Sequence, residues 1–369
     1  MDSHRNVGDL AELVSQRGVL ICCGAGGVGK TTTAAALALE GARRGRRACV
    51  VTIDPARRLA DALGLAELSN VPRKVDGPWS GELWALMLDS KSTFDELVER
   101  YSDSPDQAKN ILDNRLYRNL SGALSGTQEY MASEKLYELY EEHDFDLVVV
   151  DTPPTRNALD FLEAPGRLMR LLDNRIFRLL VVPTKAYLRA ISLGVRTFLH
   201  TVSSVVGTEV VDDVIAFFRA FEGMEEGFRD RAKRVELLLA DDATSFVLVT
   251  SARPESIDEA MWFAGKLADS GLGTEALVVN RAHPRFLPIS VPIPSEDSLP
   301  ESVSALASNL TQLEAIAHRE QTTLAALAKK VGGGPLVSVP LLSDDVHDLA
   351  GLEAVADHLF GDPPTDSGG

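Results

Sequence analysis

The residues best suited to do chemistry lie in one glycine-rich run near the start of the chain. This run reads Gly24-Ala25-Gly26-Gly27-Val28-Gly29-Lys30-Thr31 and satisfies the pattern G-x-x-x-x-G-K-[ST]. Glycines allow positive φ, so successive N–H groups can point inward and form an anion site. Lys30 would add positive charge at the β- and γ-phosphates, and the Thr31 hydroxyl would complete a Mg²⁺ shell. The run predicts a binding loop for a magnesium-bound nucleoside triphosphate.

Two aspartates stand where such a site needs carboxylates. Asp151 follows the apolar run Leu147–Val150, and Asp54 follows Val50–Ile53. The carboxyl ends of neighbouring parallel strands meet at one edge of a sheet, where acids can hold the waters of a metal ion and position an attacking water. We predict that Asp151 binds Mg²⁺ through water. Either aspartate could instead be the N-cap of a helix.

Seven short apolar runs provide the elements that must position these residues. They are apolar at nearly every position, which is typical of strands covered on both faces, and most are separated by enough chain for a crossover helix. We predict an α/β fold with a doubly wound, mostly parallel sheet of about seven or eight strands. The runs are Val19–Cys23, Ala48–Ile53, Leu83–Leu88, Leu147–Val150, Phe246–Val249, Ala276–Val279 and Leu336–Val339.

Two intervals, about 92–143 and 159–242, are too long for simple crossovers and have helical patterns. Ser92 and Thr93, followed three residues later by acids, predict a capping box that begins a helix. Apolar residues spaced by three and four from Leu188 to Val205 predict one stripe of another helix. We predict a single P-loop domain over residues 1–369, with these intervals as helical insertions, a surface loop at 284–300 and a disordered tail at 361–369.

Composition limits the possible partners and compartment. The 369 residues carry 37 Lys and Arg against 54 Asp and Glu, a net charge of -17, which argues against binding to nucleic acid. The cysteines, Cys22, Cys23 and Cys49, form no CxxC pair and no disulfide framework, which favours a reducing cytoplasm. No signal peptide or long uninterrupted apolar segment is expected, so we predict a cytoplasmic protein with peripheral membrane contact at most.

Several motifs together resemble one family, the ArsA-type ATPases. The resemblance rests on the phosphate loop through Thr32, the segments Asp54–Ala56 and Asp151–Thr155, Val278–Arg281, and Val339–Leu342 near the end. It extends from about residue 18 to about residue 359. The family includes the arsenite-pump ATPase and the ATPase that targets tail-anchored membrane proteins. The chain is most similar to an actinobacterial branch in which ArsA-like chains occur as unequal pairs.

The resemblance implies a role for each motif residue in a P-loop ATPase of the deviant Walker A type. ATP would be the substrate and Mg²⁺ its metal, bound by Thr31 and, through water, by Asp151. Lys30 and Asp54 would be catalytic, with Asp54 orienting the hydrolytic water. Asn280 and Pro340 would lie at the adenine, although Asn280 could also be a polar strand terminator. The loop residues Gly24, Ala25, Gly26, Gly27, Val28, Gly29, Lys30, Thr31 and Thr32 would hold the phosphates.

One departure from the family pattern bears on activity. Family loops read G-K-G-G-x-G-K-T, and their first lysine reaches across a dimer to the partner's nucleotide, whereas this chain has Ala25 there. A methyl group cannot replace an ammonium that faces transition-state charge. The chain is therefore expected to form a dimer, preferably with an ArsA-like paralogue that donates the lysine. The alternative is a hydrolysis-poor, ATP-binding regulatory subunit.

The family's zinc-binding CxxC is missing, so neither zinc nor an iron–sulfur cluster is expected. The resemblance further implies ATP-driven switching of the dimer, with the helical insertion handling a hydrophobic or membrane-protein client. The helices of the insertion could equally pack on their own core. A positioning ATPase of the ParA/MinD type is a second alternative, but its usual basic membrane tether is absent from both termini.

Overall fold

The computed structural model describes residues 6–54, 57–114, 117, 127–153, 155–173, 217, 220, 222–286, 300–331 and 334–361. These residues contain eight strands and eleven helices. The strands are β1 Val19–Cys23, β2 Arg47–Thr52, β3 Arg73–Val75, β4 Glu82–Met87, β5 Leu147–Asp151, β6 Thr244–Ser251, β7 Ala276–Ala282 and β8 Leu336–Pro340. The helices are α1 Asn6–Gln16, α2 Lys30–Arg43, α3 Arg58–Ala62, α4 Ser90–Tyr101, α5 Pro105–Leu112, α6 Thr127–Glu141, α7 Thr155–Asp173, α8 Glu225–Leu239, α9 Pro254–Asp269, α10 Glu301–Lys330 and α11 Leu349–Phe360.

All eight strands form one sheet in the order β3-β4-β2-β5-β1-β6-β7-β8. Every neighbouring pair is parallel except β3 and β4. Strand β1 lies between β5 and β6, where the order of the strands along the chain changes direction, and α/β sheets bind ligands at such a point. The predicted α/β class with a mostly parallel sheet is confirmed.

Helix α2 packs on the sheet and is enclosed on nearly all sides. Eleven of its fourteen residues are buried, and five of these are alanines. It packs against α11 and against β2 and β5. Contact with the sheet is close at Gly41, where a Cβ would lie 2.7 Å from a methyl carbon of Leu147. Small side chains on α2 therefore let a helix pack tightly between the sheet and α11.

The chain divides into two compact units. The sheet unit consists of Met1–Met87, His143–Ala158 and Asp242–Gly369, and the helical unit of Leu88–Glu142 and Leu159–Asp241. The helical unit has its own core, in which Val98, Ile111, Met131, Phe228 and Ala232 are buried. That the whole chain acts as one ATPase domain with two insertions stays a prediction. Among the described residues, no helix is both long and apolar enough to cross a membrane.

The helical unit also buries an ion pair in its interior. Arg231 of α8 donates from Nε to Glu134 of α6 at 2.6 Å, and its Nη1 donates to Glu142 at 2.6 Å. Glu134 is 1% exposed. Burial raises the pKa of Glu134 to about 7, although the Arg231 charge opposes the shift.

Two details differ from the sequence-based expectations. Strand β3 was not predicted, because it has only three residues, two of them exposed, and pairs antiparallel at the sheet edge. The predicted capping box at Ser92 and Thr93 is wrong: α4 begins at Ser90, and Asp89 caps it by accepting from the N–H groups of Lys91 and Ser92. The stripe from Leu188 to Val205, the tail from 362 and most of the 284–300 loop lie outside the described residues.

Candidate nucleotide site

The phosphate loop connects the central strand β1 to α2. Its first glycine, Gly24, lies against β6, where a Cβ would stand 2.0 Å from the Val249 carbonyl oxygen. Only a residue without a side chain fits there. Gly27 and Gly29 have φ of 77° and 93°, which L side chains rarely adopt. The backbone of the loop therefore follows a path that its glycines make possible.

The beginning of α2 supplies free amide donors to this loop. The first helical hydrogen bond runs from the Thr33 N–H to the Gly29 carbonyl at 2.9 Å. The N–H groups of Lys30, Thr31 and Thr32 precede it and have no acceptor within the helix, so they carry the partial positive charge of the helix N-terminus. Gly26 and Gly27 at the tip of the loop are exposed. These features fit a polyphosphate anion.

Lys30 is buried within its own loop. Its ammonium donates to the Ala25 carbonyl at 2.8 Å. Burial lowers the pKa of Lys30, and the nearby Asp151 carboxylate opposes that shift. Ala25, the residue that differs from the family lysine, is itself buried.

Asp151 is the centre of a hydroxyl-lined acid site. It ends β5, is 2% exposed and accepts hydrogen bonds on Oδ2 from Thr31 Oγ1 at 2.7 Å and from Thr52 Oγ1 at 2.9 Å. Burial raises the pKa of Asp151, while these two donors and the Lys30 charge lower it. Carboxylate and hydroxyl oxygens are the ligand type that Mg²⁺ prefers, so the donor set fits the magnesium of a bound triphosphate.

Asp54 lies two residues beyond the end of β2. Its N–H donates to Thr52 Oγ1 at 3.2 Å, so the Thr52 hydroxyl connects Asp54 to Asp151. The Asp54 side chain is 40% exposed, and the Arg58 guanidinium lies 3.9 Å away. An exposed pair at this distance contributes little energy. The two predicted acids are therefore at the same edge of the sheet, with Asp54 the more open to solvent.

The two predicted adenine residues lie on β7 and β8. Asn280 is close to the loop, because its Nδ2 donates to the Val28 carbonyl at 3.0 Å. Pro340 ends β8, three strands from β1, and pairs with Ala282. The structure thus brings Lys30, Thr31, Asp151 and Asn280 together around the loop, with Pro340 further along the same edge. The roles of all these residues stay predictions.

Sequence reasoning missed two hydroxyl residues at this edge. Thr52 bridges Asp151 and Asp54, and Thr152 donates from Oγ1 to the Cys22 carbonyl at 2.7 Å, joining the end of β5 to β1. A signal existed for both, since each threonine stands within two residues of a predicted acid at a strand end. Which oxygen each hydroxyl reaches depends on the pairing of strands that are distant in sequence.

The three cysteines are buried in this part of the sheet. Burial raises the pKa of Cys23 to about 12, with the neighbouring Thr152 hydroxyl and the charge of Lys30 opposing. A thiol of this kind is a poor nucleophile and metal ligand at neutral pH. That the chain binds neither zinc nor an iron–sulfur cluster stays a prediction.

Comparison with known proteins identifies the group to which this site belongs. The sequence profile of the ArsA family, described as anion-transporting ATPase, matches residues 17–361. The chain belongs to this family. The predicted resemblance to ArsA-type ATPases is therefore confirmed, and so is the prediction that the chain is an ATPase. Membership also supports ATP as substrate and Mg²⁺ as its metal.

Individual relatives in this family are distant in sequence. An ATPase get3 of Schizosaccharomyces japonicus is 26% identical over 276 residues, which are 74% of this chain and 78% of the relative. An ATPase GET3 of Malassezia globosa is 28% identical over 265 residues, or 71% and 72% of the two chains. A putative arsenical pump-driving ATPase 1 of Aquifex aeolicus is 24% identical over 359 residues, or 94% and 80%.

Proposed function

We propose that this chain hydrolyses Mg-ATP within a dimer and uses the reaction to switch the conformation of that dimer. The observation that carries the proposal is the buried Asp151 carboxylate, which accepts from both Thr31 and Thr52 within the electrostatic influence of Lys30. Titration of the purified chain with Mg-ATP in a calorimeter tests it, with Lys30→Ala as the control variant. Absence of heat with the folded wild-type chain would refute nucleotide binding.

Within this proposal, the groups of the site act on different parts of the nucleotide and its metal. The loop amides and Lys30 bind the phosphates and stabilise the charge that develops on them. Thr31 and Asp151 hold the magnesium, with Thr52 fixing the direction of the Asp151 carboxylate. Asp54 orients the attacking water, which requires a carboxylate open to solvent. Asn280 and Pro340 face the adenine.

We further propose that the dimer pairs this chain with an ArsA-like paralogue that carries a lysine where this chain has Ala25. Every other group of the phosphate loop is present here, so one trans-acting cation would complete the site. Because this chain has no lysine to give in return, only its own site in such a pair would receive one. Trans-acting cations accelerate P-loop hydrolysis by about 10³–10⁵-fold.

Mixing experiments test the pairing. Phosphate release is measured for this chain alone, for the paralogue alone and for the mixture, and the mixture should exceed the sum. Two control mixtures assign the active site: one with the paralogue's signature lysine changed to alanine, and one with Lys30→Ala in this chain. Both should lose the gain. A mixture no faster than its parts would favour a hydrolysis-poor ATP-binding subunit, the alternative that Ala25 supports.

The helical unit is our proposed site for a hydrophobic client. Leu171 on α7 and Leu237 on α8 are 54% and 62% exposed, so each of these helices leaves one apolar side chain open to solvent that a client could contact. A fluorescent peptide of about 20 apolar residues, the length of a membrane-spanning helix, is a suitable probe. Its binding in the presence of ATP should fall in Leu171→Asp and Leu237→Asp. Equal binding by both variants would instead support helices that only cover their own core.

A further inference from the structure

We propose that Asn280 and Arg281 are positioning residues that hold the peptide groups of the phosphate loop in their binding orientation. The proposal rests on the nucleotide site proposed above and deepens it. Family resemblance gives Asn280 a contact with the base of the nucleotide. The contacts of Asn280 and Arg281 with the protein's own loop are independent of any base.

Both polar atoms of the Asn280 side-chain amide make hydrogen bonds within the protein. Its Nδ2 donates to the Val28 carbonyl at 3.0 Å, and its Oδ1 accepts from the Arg281 N–H at 2.9 Å. One partner is an acceptor and the other a donor, so only one orientation of the amide satisfies both. Asn280 thus connects the end of β7 to the middle of the phosphate loop.

Gly29 makes this contact possible. A Cβ at residue 29 would lie 2.0 Å from Asn280 Nδ2 and 3.2 Å from its Cγ, so a side chain there would displace the amide. The φ of 93° at Gly29 separately favours glycine. The glycine that precedes the lysine in the motif therefore serves two purposes: backbone path and access for Asn280.

A β-bulge brings both residues to the loop. The register between β7 and β8 shifts between Val279 and Ala282, and Arg281 has a φ of 58°, which is unusual for a residue with a side chain. Bulges re-aim side chains at the ends of strands. Here Arg281 points Nη1 at the Gly27 carbonyl at 3.4 Å, a long and exposed hydrogen bond. Asn280 is therefore expected to contribute more than Arg281.

A hydrogen bond to a backbone carbonyl also fixes the direction of the N–H group in the same peptide unit. In a planar trans peptide the C=O and the following N–H point in opposite directions. Asn280 on the Val28 carbonyl therefore orients the Gly29 N–H, and Arg281 on the Gly27 carbonyl orients the Val28 N–H. Both N–H groups belong to the run of loop amides that would bind phosphate. An orientation fixed before binding lowers the entropy cost of binding.

Two probes separate this role from recognition of adenine. Calorimetry measures the binding of Mg-ATP and of magnesium tripolyphosphate, which has no base, to wild type, Asn280→Ala, Asn280→Asp and Arg281→Asn. Asparagine suits position 281 because it tolerates positive φ. Asn114→Ala is the matched control, since it also removes a hydrogen bond between an asparagine side chain and the backbone, at the Tyr117 N–H outside the site. Thermal unfolding checks that each variant folds.

We expect Asn280→Ala to lower the affinity for both probes by a similar factor, about two- to tenfold, which is the range for the loss of one hydrogen bond. Asn280→Asp should weaken them at least as much, because an oxygen would face the Val28 carbonyl. Arg281→Asn should have a smaller effect and Asn114→Ala none. A greater loss for Mg-ATP than for tripolyphosphate would still support the proposal and add a base contact.

Two results would overturn the inference: loss of Mg-ATP binding with tripolyphosphate unaffected, or no loss for either probe. Hydrogen exchange of the nucleotide-free peptide 24–31 gives a second readout, and Asn280→Ala should speed exchange there. If the wild-type chain bound neither probe, the proposed nucleotide site would be refuted. Exchange in the loop would still report whether Asn280 holds it, so the two failures are distinguishable.

Discussion

Replacement of Thr52 by valine is a sharp test of the acid site. Valine keeps the shape of threonine but removes the hydroxyl that donates to Asp151 Oδ2 at 2.9 Å and accepts from the Asp54 N–H at 3.2 Å. Thr52 is 1% exposed, so water cannot easily take its place. Asp151 would keep its bond from Thr31 but lose half of the pair that fixes its carboxylate.

The size of the effect follows from these two bonds. A hydrogen bond to a charged group contributes about 1.5–3 kcal/mol and a neutral one about 0.5–1.5 kcal/mol. Their sum, about 2–4.5 kcal/mol, is an upper range for the loss in free energy of unfolding, because the new methyl group gains burial. Groups that orient a metal's ligands typically change activity by about 10–100-fold, so we expect kcat to fall by that factor.

The assay pairs phosphate release, measured in the state that hydrolyses ATP, with urea unfolding of the chain alone. Thr93→Val is the matched control, because Thr93 is equally buried and donates from Oγ1 to the Asp89 carbonyl, outside the site. The control should lose some stability and keep its kcat. If Thr52→Val lost stability but kept wild-type kcat, the assignment of Asp151 to the magnesium would be refuted.

Three further predictions test other parts of the chain. Asp54→Asn should lower kcat by about 10²–10⁴-fold, as expected for loss of a residue that handles the attacking water, while calorimetry shows Mg-ATP affinity within about threefold of wild type; an equal loss of affinity would contradict the role. Burial raises the pKa of Glu134 to about 7 in the folded protein. The folded state therefore binds this proton more tightly than the unfolded state, and it is more stable when Glu134 is protonated. Urea unfolding should therefore show stability falling as pH rises from about 5 to about 8, and Glu134→Gln should flatten this fall; a variant with the wild-type slope would exclude Glu134 as its source. Gly24→Ala should abolish Mg-ATP binding, since its Cβ would stand 2.0 Å from the Val249 carbonyl oxygen, whereas Gly265→Ala, where a Cβ meets nothing within 4 Å, should bind normally.

The sequence predicted those strands that are buried on both faces of the sheet, because their residues are apolar at nearly every position. The run Val19–Cys23 is apolar at every position and is fully buried as β1. Strand β3 escaped notice, since Arg73 and Lys74 are exposed and its pairing with β4 is the main sign of a strand. The start of α4 was misplaced because both Asp89 and Ser92 are good capping residues, and the sequence does not say which one turns toward the helix.

The site could be predicted only where its residues are contiguous or end a strong strand. Lys30 and Thr31 came from the motif, and Asp151 from the strand before it. The Thr52 contact with Asp151 spans 99 positions, and the Asn280 contact with Val28 spans 252. Contacts of this kind follow from strand order, register and a β-bulge, which a single sequence does not reveal.

The burial of α2 on nearly all sides limits which parts of the chain can move when a nucleotide binds. A helix with eleven of fourteen residues buried, and with Gly41 against Leu147, has no open flank along which to slide or rotate. The phosphates would therefore bind to an immobile helix end, and displacement must arise in a less buried segment, such as the one that carries Asp54, Arg57 and Arg58. Substitutions in that segment should change the size of the conformational change without lowering the affinity for phosphate. Larger residues in place of the alanines of α2 would instead disrupt the packing of the helix that binds the phosphates.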